Sequence, residues 1–403
     1  MTSNPAHMPG TGLLCRALLT IAIALSSALA QAQSEWSRRG DISLQTQFFI
    51  DNSAHSATQS TNVSLSGNAE FNRTVGENGN LTISPFFRVD QHDSKRTHVD
   101  LREFLYRYSA DSWEANAGLG KIFWGVAESS NVVDIINQRD AVEGLDPENK
   151  LGQPMINLLL LKDWGEISLF VLPGFRERTF AGEDGRPRGS FVIDTDNTQY
   201  ESSNEARHID VAARISGAIN EWDLGFHIFH GTAREPILSF PEFAPFYYQM
   251  TQFGVDVQAT LESWLLKTEV VYRSGELIKD HAQLVTGLEY SFYSVADSAI
   301  DIGVVAEYLY DDRFDEANTV FQNDILIGLR FALNDEQSTE ALIGVIADLD
   351  GGGDVFTAEA SRRIGNSFKL TAETAIWANT KDDLLLSQFE NEDYIQLELG
   401  YFF

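Results

Sequence analysis

From Asp41 to Phe403 the chain breaks into segments in which apolar and polar residues alternate one by one. A period of two marks a β-strand whose two faces meet different surroundings. The last segment shows it most plainly, with Ile395, Leu397, Leu399, Tyr401 and Phe403 opposing Gln396, Glu398 and Gly400. Near the start, Ile42, Leu44, Phe48 and Ile50 oppose Ser43, Gln45, Gln47 and Asp51, and Val63, Leu65, Ala69 and Phe71 oppose Ser64, Ser66, Asn68 and Glu70. Ile300, Ile302, Val304 and Ala306 stand against Asp301, Gly303 and Glu307, and Ile325, Ile327, Leu329 and Phe331 against Asp324, Gly328 and Arg330. These segments run about 9–15 residues, longer than the ~5–6 of a soluble strand and suited to a tilted membrane crossing.

The connections alternate too. Short ones fall at 76–80, 110–112, 165, 218–221, 262–263, 295–298, 334–338 and 365–367. Longer polar ones fall at 52–60, 91–96, 126–155, 179–207, 235–248, 275–281, 312–319, 349–355 and 379–392. Tight turns on one side and long loops on the other are the rhythm of a membrane meander. The prediction is an all-β protein, a transmembrane antiparallel up-and-down β-barrel over 41–403 with about 18 strands. Sixteen is the alternative if 156–175 and 355–364 do not form strands. Trp113, Trp164, Trp222 and Trp264 sit beside short turns, and Trp124 and Trp377 at the opposite strand ends with Tyr272 and Tyr310. Amphipathic rings collect at membrane–water interfaces, so these residues predict two aromatic girdles facing outer-membrane lipid and lipopolysaccharide.

Composition narrows the classes. Of 403 residues, 43% are hydrophobic and 11% aromatic, which excludes a disordered chain. Mean hydropathy is −0.18 and no run of ~18 apolar residues follows position 30, which excludes a helical membrane protein. Against 59 Asp and Glu stand 29 Lys and Arg, a balance that excludes nucleic acid as partner. Arg16 precedes the apolar stretch Ala17–Ala30, which ends in Ala28-Leu29-Ala30. That pattern predicts a secretory signal peptide over 1–30 and a short periplasmic segment over 31–40. The single cysteine, Cys15, leaves with the leader, so neither a disulfide nor a thiolate metal site is expected.

The leader, the alternating meander and the terminal Tyr401-Phe402-Phe403 resemble Gram-negative outer-membrane β-barrel proteins of the porin type. The resemblance implies that the barrel-assembly machinery reads Phe403. Gly120–Gly125, Asn131 and Asp134–Asp140 are similar to a segment of uncharacterised proteobacterial barrels distantly like alginate-export barrels. In porins the loop after the fifth strand folds into the lumen, which implies the same for 126–155 here.

That loop carries Asp134, Asp140, Glu143, Asp146 and Glu148 against Arg139 and Lys150. Val132, Val133, Ile135 and Ile136 give it an apolar side that needs cover. Leu158–Leu161 and Ile167–Leu172 are apolar on both faces, unlike a wet wall. A loop packed on the inner wall accounts for both. The alternation predicts an inner face bearing Asp51, Glu70, Asp90, Asp100, Asp210, Asp256, Glu269, Glu289, Asp301, Glu307, Asp324, Glu373 and Glu398. Its bases are Arg88, Arg102, Arg214, Lys267, Arg273, Arg330, Arg363 and Lys369. The acidic excess favours cations, and the alternative is that most of these charges pair and hold the wall. Polyanion export implies a basic lumen instead. Alternation fails around Arg102-Glu103, which predicts a bulge.

Enzymatic candidates are few. His208, Asp210, His227, His230 and Glu235 could meet near the rim as a metal or acid–base cluster, although isolated polar residues are commoner. Asp348–Asp354 has incomplete spacing for a calcium loop. No phosphate loop or dinucleotide fingerprint occurs. The expectation is therefore a non-enzymatic channel for passive diffusion of small hydrophilic solutes or ions, with no catalytic residue, metal or cofactor. A substrate-specific or partner-holding barrel is the alternative, and a surface hydrolase the third reading. Monomer and homo-oligomer both stay open.

Overall fold

The computed structural model describes residues 36–403 apart from 56–57, 145, 240, 242, 315–318 and 384, so the expected signal peptide lies outside the described residues. The strands are β1 (Trp36–Phe49), β2 (Thr61–Val75), β3 (Gly79–Asp90), β4 (His98–Ser109), β5 (Trp113–Gly120), β6 (Gln153–Lys162) and β7 (Gly165–Pro173). Then follow β8 (Gln199–Tyr200), β9 (Ile209–Ile219), β10 (Trp222–Thr232), β11 (Ile237–Leu238), β12 (Pro245–Tyr247), β13 (Gln249–Leu261) and β14 (Trp264–Ser274). The last are β15 (His281–Phe292), β16 (Asp301–Asp311), β17 (Asn323–Ala332), β18 (Glu340–Asp348), β19 (Asp354–Ile364), β20 (Phe368–Ala378) and β21 (Tyr394–Phe402).

Eighteen of these form one antiparallel sheet, and β8, β11 and β12 make a small separate sheet within the long loops. The large sheet closes because β21 pairs with β1, from Asp41↔Phe402 to Phe49↔Tyr394. Closure leaves no free edge, the only way a sheet can satisfy its backbone in hydrocarbon. Eight connections on one side alternate with nine on the other, and all the longest ones, such as 121–152 and 174–208, fall in the set of nine. No described helix is long and apolar enough to cross a membrane.

The period of two sets the two faces. Leu44, Phe48, Ile395, Leu397 and Leu399 point outward and are exposed, while Ser43, Gln45, Gln47 and Gln396 point inward and are buried. A continuous apolar outer band around a closed barrel is the architecture of an outer-membrane protein. Trp113, Trp164, Trp222 and Trp264 are exposed beside the short turns, as one girdle demands.

Three expectations need correction. Trp124 and Trp377 are only 5% and 8% exposed and lie inside, each covered by loop and wall residues, so they belong to no girdle. β1 begins at Trp36, so the first strand starts five residues earlier than the expected Asp41. The loop between β5 and β6 covers 121–152, since β6 already starts at Gln153. The slip in β4 is real: Ser84 pairs with Glu103 but Pro85 with Leu101, leaving Arg102 as the extra residue.

Candidate functional site

The loop 121–152, called L3 below, is held against the inner wall by its own backbone. The amides of Val126 and Ala127 donate to Glu269 on β14 at 2.6 and 3.0 Å. Those of Glu128 and Ser129 donate to Glu307 on β16, both at 2.8 Å. Arg234 and Arg273 in turn donate to the carbonyls of Ile136 and Val132. An irregular segment inside a barrel has no ladder for its amides, so inward carboxylates must supply the acceptors. This explains acids in the wall that sequence alone leaves as candidate filters.

L3 is also anchored by ion pairs at opposite parts of the wall. Glu128 meets Arg330 on β17 at 2.6 Å. Asp140 meets the bulge residue Arg102 on β4 at 2.5 Å, and Glu143 meets Arg88 on β3 at 2.8 Å. The bulge matters here because it turns Arg102 inward at the height where Asp140 arrives. Burial works against the charge on Asp140, but His98, Arg102 and Thr179 outweigh it and hold its carboxyl at about 2. Asp134 pairs with Lys150 within L3. Asp146 and Glu148, also named from sequence, line a cavity of about 350 Å³ beside β1–β4 and β20–β21. Arg139 bridges through its backbone to Lys150 and lines a second cavity.

The apolar side of L3 finds its cover. Trp124, Val133, Ile135 and Ile136 are buried with Leu105, Met155, Phe170, Leu172, Phe229, Met250 and Val271 of the wall. Each of the fully buried L3 residues Val133 and Ile136 contributes about 1.5–3 kcal/mol to seating the loop. The doubly apolar strands β6 and β7 are therefore the bed on which L3 lies.

The wall charges sort into two groups. All those named from sequence share the inward face except Asp51, which belongs to the loop 50–60. Arg214 binds Asp256 across β10 at 2.6 and 2.7 Å, directly over Gly225. A Cβ at Gly225 would lie 2.3 Å from the Arg214 guanidinium, so only glycine lets this pair cross. Asp210 holds Arg234, Asp90 holds Arg96, Asp100 is held by Arg102 and Arg176, Glu289 reaches Arg330, Glu70 reaches Arg39 and Lys267 reaches Glu128. Asp301 sits near the short-turn side with Asn334, and Asp324 caps the amide of Asn323. Thus most wall charges are structural.

Glu359, Glu373 and Glu398 differ. They face inward from the adjacent strands β19, β20 and β21, with Glu359 directly opposite Glu373 in the register. Glu373 accepts from Gln396 at 2.8 Å and Glu398 from Gln45 at 3.0 Å, both neutral donors. None of the three has an ion-pair partner among the described residues. Lys369 and Arg363 stand nearer the short turns on the same strands and are directly opposite each other. Glu359 and the L3 anchor Glu128 escaped the sequence reading, although the parity shared with Arg363 carries the signal for Glu359.

The rim histidines do not converge. His227 faces inward onto Trp124 and Gln252, whereas His230 faces outward onto Thr251. Residues three apart on a strand must lie on opposite faces, so the pair cannot serve one centre. His208 pairs with Asp210 at 2.7 Å, and Glu235 with Arg273 at 3.4 Å. His98, Asp140 and Glu143 do gather, with ligand atoms within 4.8 Å of one another. Arg102 and Arg88 already neutralise those two carboxylates, which makes this an ion-pair clasp rather than a cation cage. Asp348–Asp354 forms a turn in which the amide of Asp350 donates to Asp348 and Asn323 donates to Asp350.

No family model and no curated protein matches the sequence. Solved structures match the fold. A BenF-like porin from Pseudomonas fluorescens Pf-5 aligns with a TM-score of 0.53 at 9% identity, over 91% of this chain and 98% of that one. OccD3 (OpdP) of Pseudomonas aeruginosa aligns with a TM-score of 0.52 at 10% identity, over 91% of each chain. The chain thus has the fold of Gram-negative outer-membrane porins.

Proposed function

We propose that the barrel is a water-filled outer-membrane channel for passive diffusion of small hydrophilic solutes or ions, mildly selective for cations, with L3 as its constriction. The observation that carries the selectivity is the inward row Glu359, Glu373 and Glu398, acids without an ion-pair partner among the described residues, of which Glu373 and Glu398 line the same cavity as Asp146. Rings of acidic side chains lower the barrier to cations at close quarters. The porin fold and the L3 anchors support the channel itself. Phe403, exposed at the end of the barrel, is the residue we assign to recognition by the assembly machinery.

Single-channel recording in a planar bilayer under a salt gradient tests this reading. Ohmic steps with a reversal potential on the cation side uphold it. A folded barrel that carries no current ends the diffusion reading and favours a partner-holding barrel.

A further inference from the structure

We infer that the lumen holds a binding site for a small organic anion with a flat apolar body, set between L3 and the inner face of β15–β20. The inference rests on the channel reading above and names what the channel detains. A cavity of about 620 Å³ lies there, inside the ~300–1,000 Å³ range of small-molecule sites.

Three features define the occupant. First, the wall is apolar where a water-filled pore needs polar groups. Val285, Val305, Leu309, Leu326 and Ile346 all face inward from the consecutive strands β15–β18. Ala127, Val132 and Phe321 pack on this wall without closing the cavity over it. Gly328 and Gly344 oppose each other in the register and line the same cavity, so the wall between these aliphatic residues is bare of side chains. Second, one end is aromatic: Trp377 and Phe389 line the cavity and stack on each other with centroids 5.6 Å apart and planes 21° apart, an aromatic wall against which a planar group can pack.

Third, the other end is cationic within an acidic protein. Its acids are engaged: Glu128 by Arg330, Asp134 by Lys150 and Glu235 by Arg273. Arg178 lines the cavity and donates to neutral acceptors, Gln138 Oε1 at 3.2 Å and the carbonyl of Arg234 at 2.9 Å. Among the described residues no carboxylate stands within ion-pair distance of it. A guanidinium without a carboxylate at the edge of an apolar cavity is complementary to an anionic head. Apolar body and anionic head are thus required together.

The probe is 1-naphthalenesulfonate, added to single channels and, separately, titrated against purified barrel while tryptophan fluorescence is read, since Trp377 lines the cavity. The expected result is reversible current interruption by this anion, with no interruption by methanesulfonate or by 1-naphthylmethylammonium at the same concentration. Arg178→Gln and Leu326→Ser should each weaken binding about tenfold, a loss of about 1.4 kcal/mol, while Arg178→Lys retains most of it. Equal block by the anion and the cation, or block unchanged in Arg178→Gln, overturns the proposal. If the barrel conducts and no probe blocks it, the site falls and the channel stands. If the barrel is silent, the channel reading falls and fluorescence decides. Saturable quenching, absent in Trp377→Phe and weakened in Arg178→Gln, upholds the site, and its absence removes it.

Discussion

The inner faces of β1–β3 and of β15–β18 arise from the same alternation, yet the second carries among its charges an aliphatic patch that the first lacks. On the first, Gln47 donates to Gln396 at 2.9 Å, Gln45 to Glu398 at 3.0 Å, and Arg88 to Ser64 at 2.7 Å. On the second, Val305, Leu309, Leu326 and Ile346 offer nothing to hydrogen-bond. Both faces are buried from bulk solvent, so burial does not distinguish them. The difference lies in what each must meet. The polar face meets the charged end of L3 and the unpaired glutamates, where every polar atom needs a partner. The aliphatic face meets the apolar side of L3 and a cavity, where water gains little. A lumen lining is therefore two surfaces divided by one loop, and its average charge describes neither.

The largest effect should come from releasing the divider. Glu269→Ala with Glu307→Ala strands the amides of Val126, Ala127, Glu128 and Ser129, at about 1–3 kcal/mol for each unsatisfied group. L3 should leave the wall, raising single-channel conductance severalfold and opening 121–152 to protease. Unchanged conductance with L3 still protected would show that apolar packing alone seats the loop.

Charge comes next. Glu359→Gln with Glu373→Gln should lower the cation-to-anion permeability ratio about two- to threefold, as expected for unpaired charges in high dielectric. Glu289→Gln, whose carboxylate reaches Arg330, should not lower it comparably. A reversal potential insensitive to the first pair would place the selectivity elsewhere.

A pH titration probes the clasp on the polar side. Asp140 has a carboxyl held at about 2 in the folded chain, against ~3.9 unfolded. A depressed value stabilises above the unfolded one and is lost as pH falls through the folded one. The carboxylate's contribution, on the order of 2 kcal/mol, should thus fade between about pH 4 and 2. Conductance should rise in that acid window, and in Asp140→Asn it should already be raised at neutral pH. Conductance that stays level between pH 4 and 2, or that rises there equally in Asp140→Asn, would contradict the assignment.

The smallest contrast compares the two walls directly. Ser64→Ala removes one acceptor from Arg88 and should cost about 1 kcal/mol. Leu326→Asn places an amide among aliphatic residues and should cost about 1–3 kcal/mol. Thermal unfolding followed by heat-modified gel migration ranks the two. A reversed order would mean that water already fills the aliphatic side.

Much of this molecule was legible along the chain. The facing of Leu397 against Gln396, the eight tight turns, the slip at Arg102 and the misfit of Val132–Ile136 are all local signals, because side-chain direction in a strand follows parity. Two apolar oddities far apart in sequence, Ile135-Ile136 and Phe170-Leu172, even implied each other. Parity also misled. Trp124 and Trp377 stand where a girdle residue would, but their side chains turn into the barrel. The rim histidines looked like a cluster until opposite faces separated His227 from His230.

Alternation and turn chemistry, then, determined the strand positions and which residues face inward, since each depends on neighbours a few positions away, while the count of eighteen over sixteen and the closure of β21 on β1 came from the tertiary structure. Only the tertiary structure decided what those inward residues do. Whether Glu269 filters ions or holds the amide of Val126 depends on a contact 143 residues away. Nothing in a strand of period two encodes where an irregular loop will lie. That position follows from satisfying buried amides and covering apolar side chains together, and those requirements are settled in space rather than along the chain.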